Sequence, residues 1–154
     1  MSIANYIKSG MEIYFSVDNN KEILRIPYVP PDVNFVSPLE YESFENYKGE
    51  YLSLVGEEGL RLLTLESWFP SKIYKWLGTT ALAPICIDFF KRSRTKVLRV
   101  VVVSFSININ MLCIITDFTY KKKNNGDISY TLSIEEYIDP RGGKRDTYSK
   151  NNSR

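Results

Sequence analysis

Along most of the chain, apolar and polar positions alternate with a period of two, and one stretch shifts to a helical period. Residues 11–17 (Met-Glu-Ile-Tyr-Phe-Ser-Val) and 22–27 read as two strands of a hairpin around Asp18-Asn19-Asn20. Asn and Asp suit that turn because they tolerate left-handed backbone angles and bond their own backbone. Pro27, Pro30, Pro31 and Pro38 make residues 28–38 an extended connector or a sheet edge, since proline cannot donate to a ladder. In residues 40–46 acids alternate with aromatics, which predicts an edge strand with one wet face. A short strand at 50–55 and a Gly-Glu-Glu-Gly turn at 56–59 lead into residues 60–69. There Leu60, Leu62, Thr64, Glu66 and Trp68 share one side, and Arg61, Leu63, Leu65, Ser67 and Phe69 the other.

Residues 82–94 carry the helical period. Leu82, Cys86, Phe89 and Phe90 fall on one stripe, Pro84 fits the first turn, and Lys91, Arg92 and Arg94 favour the negative end of the helix dipole. Residues 97–105 contain four consecutive valines, which predicts a strand buried on both faces. A turn is expected at 107–110, a strand at 111–120, a loop with an Asn-Gly signal at 121–127, and a half-buried strand at 128–138. The sum is an α+β chain, mainly antiparallel β, folding as a compact barrel-like or sandwich-like domain with one main helix. Residues 1–140 form that single domain, and residues 141–154, without apolar periodicity, form a flexible basic tail.

Composition supports this reading. With 154 residues, 44% of them hydrophobic, the chain has material for one core. Aromatics at 14%, led by eleven Tyr and eight Phe, lean toward strands. The net charge of +2 is unevenly spread: residues 139–154 carry five bases against two acids, so the rest is −1. Basic charge is not concentrated on the folded body, which speaks against a nucleic-acid-binding module. Cys86 and Cys113 each sit in an apolar run and read as buried free thiols. Neither a signal peptide nor a membrane span is expected, because no apolar stretch approaches about 20 residues.

Candidate chemistry is sparse. The sequence contains no histidine, so Ser-His and Cys-His nucleophilic pairs and the commonest metal ligand are excluded. Two separated cysteines are too few for a zinc site. Glu57-Glu58 lies in an expected turn and Glu135-Glu136 are strand neighbours on opposite faces, so both read as solvated surface acids. Arg141-Gly142-Gly143-Lys144 lacks the spacing and following helix of a phosphate loop. No catalytic residue, cofactor or metal is expected. Lys121-Lys122-Lys123, with Tyr120 and Tyr130 beside it, is the basic triplet of the body; it reads as a solvated hairpin tip first and a phosphate contact second. Trp68 fits the core first and a partner-facing hot spot second.

The order of segments resembles a known family. The Ile-Pro stretch and Pro30-Pro31 come first, followed by Leu-Glu-Ser-Trp-Phe-Pro at 65–70, Phe-Phe-Lys-Arg-Ser at 89–93 and Leu-Arg-Val-Val-Val at 98–102. The chain then runs through Thr-Asp-Phe-Thr-Tyr at 116–120, Gly-Asp-Ile-Ser-Tyr-Thr-Leu at 126–132 and Glu-Glu-Tyr at 135–137. Over residues 11–138 this resembles the N-terminal domain of baseplate hub proteins from contractile-tailed phages and defective prophages of Gram-positive bacteria. Longer members carry a peptidoglycan-binding LysM domain, which is not expected here. The resemblance implies a β-rich, non-enzymatic hub adaptor related to the tube-forming barrel of tail proteins. It also implies several copies in a symmetric ring, with tail tube, hub, spike and baseplate wedge proteins as partners.

Candidate interface residues are Pro30 and Pro31 of the connector, Trp68, Lys121, Lys122 and Lys123, and Arg141, Lys144 and Arg145 of the tail. A module for single-stranded nucleic acid on a small β barrel is the alternative, and a wall hydrolase a weaker one. Deleting residues 141–154 is expected to leave the thermal unfolding transition unchanged and to reduce incorporation into particles. Normal incorporation of the truncated chain would show the tail to be dispensable.

Overall fold

The computed structural model describes residues 10–30, 32–75, 77 and 81–141. Its elements are β1 (Met11–Val17), β2 (Glu22–Arg25), β3 (Asn34–Val36), β4 (Leu39–Glu45), β5 (Tyr51–Glu58), β6 (Leu62–Phe69), α1 (Ala83–Arg92), β7 (Leu98–Ser104), β8 (Asn108–Lys122) and β9 (Ile128–Glu136). Seven strands form one antiparallel sheet in the order β2-β1-β7-β8-β9-β6-β3, and β4 and β5 form a separate two-stranded sheet. The result is a sandwich-like, mainly antiparallel α+β fold. It is not a closed barrel: the terminal strands β2 and β3 have four and three residues and do not pair with each other. Closure needs a continuous ladder around the circumference.

The first hairpin forms as its residues dictate. Asp18, Asn19 and Asn20 all adopt positive φ, at 51°, 56° and 65°, so three short polar side chains turn the chain without a glycine. One face of the large sheet then collects the core. Ile13, Phe15 and Val17 of β1, Leu98, Val100 and Val102 of β7, Met111, Cys113 and Ile115 of β8, and Leu132 and Ile134 of β9 are all buried there. Helix α1 seals this face with Cys86, Phe89 and Phe90. Pro84 lies in its first turn and Lys91 and Arg92 in its last. Phe90 meets Phe15 edge-on at 5.3 Å, Phe69 at 6.1 Å, Phe89 at 5.4 Å and Phe118 at 5.3 Å between ring centroids. Such contacts add to the burial of each ring. Burial also pushes the thiols of Cys86 and Cys113 up to about 12, which keeps them inert.

Two ion pairs fix the sheet. The buried Glu12 carboxylate accepts a bond from Arg25 Nη2 at 2.8 Å and from the Tyr14 hydroxyl at 2.9 Å. The Glu136 carboxylate, 2% exposed, accepts from Arg61 Nη2 at 2.8 Å and from the Arg61 backbone N–H at 3.2 Å. Glu136 therefore corrects the expectation of a solvated acid: it lies inside, with its charge matched. Arg92 reaches Glu22 at 2.6 Å and Asp88 at 2.8 Å, tying the end of α1 to the first hairpin.

Other expectations also shift. The valines of β7 are buried on one face and half-buried on the other, because the second face of the sheet is open where a two-sided core was expected. Residues 56–58 continue β5 instead of turning. Asn108 to Asn110 belong to β8, since the Ser104 hydroxyl accepts the Ile107 N–H at 2.8 Å and donates to the Ile107 carbonyl at 2.7 Å, closing the turn earlier. Phe90→Ala is expected to cost about 4 kcal/mol in urea denaturation, the range for deleting a core ring. A loss below about 1 kcal/mol would show that α1 does not seal the core.

Candidate functional site

The open face of the large sheet carries the site. Across β6, β9 and β8, the register sets Trp68 opposite Ser129 and Ser129 opposite Lys121; one pleat along, Glu66 faces Thr131 and Thr131 faces Thr119. Side chains two apart share a face. Two transverse rows result, each with an indole or carboxylate at one side, hydroxyls in the middle, and a lysine or threonine at the other. The flanking strands stand roughly 9–10 Å apart. These residues line a groove of about 520 Å³ together with Tyr28, Tyr120 and Lys123.

Aromatic walls come from outside the rows. The Ser67 hydroxyl donates to the Tyr28 carbonyl at 2.9 Å, and Tyr28 stacks on Trp68 at 5.1 Å and 27°. Tyr74 meets Trp68 edge-on at 5.7 Å. Lys123 Nζ lies 5.9 Å from the Trp68 ring centroid, and Lys72 Nζ 5.4 Å from that of Tyr74.

Asp127 holds this corner together. Its carboxylate accepts the backbone N–H and hydroxyl of Ser71 and the hydroxyl of Tyr74, each at 2.8 Å, and Asn125 Nδ2 at 3.2 Å. Its carbonyl accepts the Lys123 N–H at 2.8 Å. Burial opposes its charge, but the Ser71 and Tyr74 bonds and nearby Lys123 outweigh it and hold the carboxyl below its usual value. The same bond raises the Tyr74 phenol. Gly126 turns at φ 93°, a left-handed conformation that strains any residue with a Cβ, although an added Cβ would meet Ser71 Oγ only at an ordinary contact distance of 3.4 Å.

The structure thus brings Trp68, Lys121 and Lys123 together. Trp68 is half-buried on the open face and not in the core. Lys122, one step along the pleat, does not line the groove, and neither do Pro30 and Arg141. The Arg141 N–H donates to Asp139 Oδ1 at 2.9 Å. Pro31, Lys144 and Arg145 lie outside the described residues. Tyr28, Glu66, Ser129 and Thr131 were not singled out by sequence reasoning, although the alternation had already placed Glu66 and Trp68 on one side. Among the described residues no three His, Cys, Asp or Glu side chains converge as metal ligands, and no helix is long and apolar enough to cross a membrane.

A second feature stands apart. None of the described residues of β4 and β5 joins the core. Tyr47 is 93% exposed, and Tyr51, Val55, Leu39, Phe44 and Leu52 are exposed too. The hairpin tip is nonetheless well formed: Asn46 Oδ1 accepts the N–H groups of Lys48 at 2.9 Å and Glu50 at 3.0 Å, and Gly49 turns at φ 79°.

No protein-family model matches the sequence. The uncharacterized protein YqbP of Bacillus subtilis (strain 168) is 24% identical over 130 residues, covering 80% of this chain and 58% of that protein. The chain therefore spans little more than half the length of this curated relative. Among solved structures, a chain from the tail of an empty gene transfer agent particle with C6 symmetry is similar at a TM-score of 0.56 and 14% identity, over 84% of this chain and 92% of that one. A chain from the virion of the native gene transfer agent particle is similar at 0.54 and 14%, over 82% and 92%. At these identities the likeness is one of fold.

Asp127→Asn is expected to lower stability by about 2 kcal/mol at pH 7, the range for hydrogen bonds to a charged group. The folded carboxyl is depressed, so its contribution is present above the unfolded pKa near 4 and is lost as pH falls through the folded value. Urea denaturation at pH 7 and pH 3 should show the gap between wild type and variant narrowing at the lower pH. A gap independent of pH would contradict the clasp.

Proposed function

We propose that the chain is a non-enzymatic structural component of a contractile phage tail or tail-like particle. More narrowly, it is a baseplate hub adaptor joining tail tube, hub and spike to the surrounding baseplate proteins, in several copies around the axis. The observation that carries this reading is the β4–β5 hairpin. A lone two-stranded hairpin is marginal in water, and this one presents Tyr47, Tyr51 and Val55 to solvent on a well-formed turn. Aromatic side chains presented that way are typical anchors for a partner surface. The fold shared with gene transfer agent tail and virion chains supports the setting, and the segment order of hub proteins supports the narrower role. On this reading the protein is made in the host cytoplasm and resides in the particle.

The groove also offers what single-stranded nucleic acid uses, aromatic faces beside lysines. Glu66 within the rows weighs against that reading, as does the −1 charge of the chain outside its basic tail.

The test is incorporation. The chain is tagged at its N-terminus, particles are induced in the strain that encodes it, purified by sedimentation and imaged by electron microscopy. Label at the baseplate end is the expected result. Tyr47→Ser/Tyr51→Ser should keep the stability of the free chain within about 0.5 kcal/mol, yet reduce incorporation several-fold. A wild-type chain that stays in the soluble fraction would sink the hub assignment.

A further inference from the structure

We propose that the acidic tip of the β4–β5 hairpin of one copy seats in the Trp68 groove of a second copy; this rests on the assembly role proposed above and names one of its contacts.

Charge is the first argument. Between Leu39 and Glu58 the sequence holds Glu40, Glu42, Glu45, Glu50, Glu57 and Glu58 against Lys48 alone, a formal −5 over the whole hairpin; at the tip itself Glu45 and Glu50 stand against Lys48, whose Nζ lies 5.8 Å from the Tyr47 ring centroid, a formal −1. The chain as a whole is +2, so everything outside the hairpin is +7. At the groove Lys121 and Lys123 line the surface and Lys72 sits over the Tyr74 ring that abuts Trp68, three ammonium groups against the carboxylates of Glu66 and of Asp127, which Tyr74 bonds. Opposite potentials on two patches of one molecule favour contact between copies and set its register.

Shape and chemistry agree. The hairpin tip offers two exposed tyrosines beside Glu45 and Glu50, on a turn already held by Asn46, so little order is lost on docking. The groove offers the counterpart: the Tyr28–Trp68 stack for a phenol ring, ammonium groups for carboxylates, and the hydroxyls of Ser129 and Thr131 for the phenol's own hydrogen bond. None of the described residues of the hairpin lines the groove of its own chain. The two patches differ, which makes the contact head-to-tail. Such contacts close into rings when the rotation between copies closes.

The test uses two charge reversals on the full chain: Lys121→Glu/Lys123→Glu in the groove and Glu45→Lys/Glu50→Lys in the hairpin. All four positions are exposed. Glu50 also accepts a bond from Asn46 Nδ2, so circular dichroism checks the hairpin variant, and the groove variant carries the test if that one is misfolded. Self-association is followed by sedimentation over a concentration series. Each reversal should weaken it about tenfold or more, and equimolar mixing of the two should restore it, because one mixed contact pairs reversed groove with reversed tip. Variants that associate as tightly as wild type would overturn the proposal, as would a wild type that is monomeric at about 100 µM. So would a groove reversal that abolishes binding of a single-stranded oligonucleotide while leaving association intact. If the proposal is overturned while the tagged chain still sediments with particles, the docking contact alone fails; a chain absent from particles removes the assembly role itself.

Discussion

The structure depends on one helix covering one face of a seven-stranded sheet. Helix α1 is the single helix among the described residues, and Phe90 is its centre, touching rings from β1, β6, β8 and α1 itself. Burying such rings supplies about 1.5–3 kcal/mol apiece, and among the described residues no second helix or closed ladder shares the task. Among the described residues the sheet therefore has a dry face and a second face that is buried at Glu12 and Ser16 of β1 and elsewhere half-buried or exposed.

That asymmetry explains where the polar chemistry sits. Charges drawn into the body are matched on the spot: Glu12 by Arg25, and Glu136 by Arg61. Losing one member of such a pair leaves a buried charge uncompensated, so both pairs lock strand ends against slippage. Asp127 does the same for the corner that carries Tyr74, Trp68 and Lys123. The groove is thus built on rigid strands and clasped at one end, while the acidic hairpin stands outside the core. In the assembly role proposed above, these features would set affinity through preorganisation and charge.

Much of this was legible in the sequence. The period-two alternation gave the strands, the stripe of Cys86, Phe89 and Phe90 gave the helix, and Asp18-Asn19-Asn20 gave the first turn. Alternation also put Glu66 with Trp68 on a common face. What it could not give was which strands are neighbours. The groove exists because β9 lies between β6 and β8, a long-range pairing that no local pattern encodes. For the same reason Glu136 read as a surface acid: its partner Arg61 is 75 positions away. Trp68 leaned toward the core because an exposed indole is rare without a partner, and which face is covered was not known. The valines of β7 misled in the same way, since β-branched runs signal strand more strongly than they signal how many faces are covered.

The most direct measurement is an electron cryomicroscopy map of the purified particle in which this chain's sheet and α1 can be traced. The account predicts several copies around the tail axis at the baseplate end, each with its β4–β5 hairpin buried against a neighbouring subunit. A map that accounts for every baseplate density without this fold, or that shows the hairpins projecting unpartnered into solvent, would contradict it.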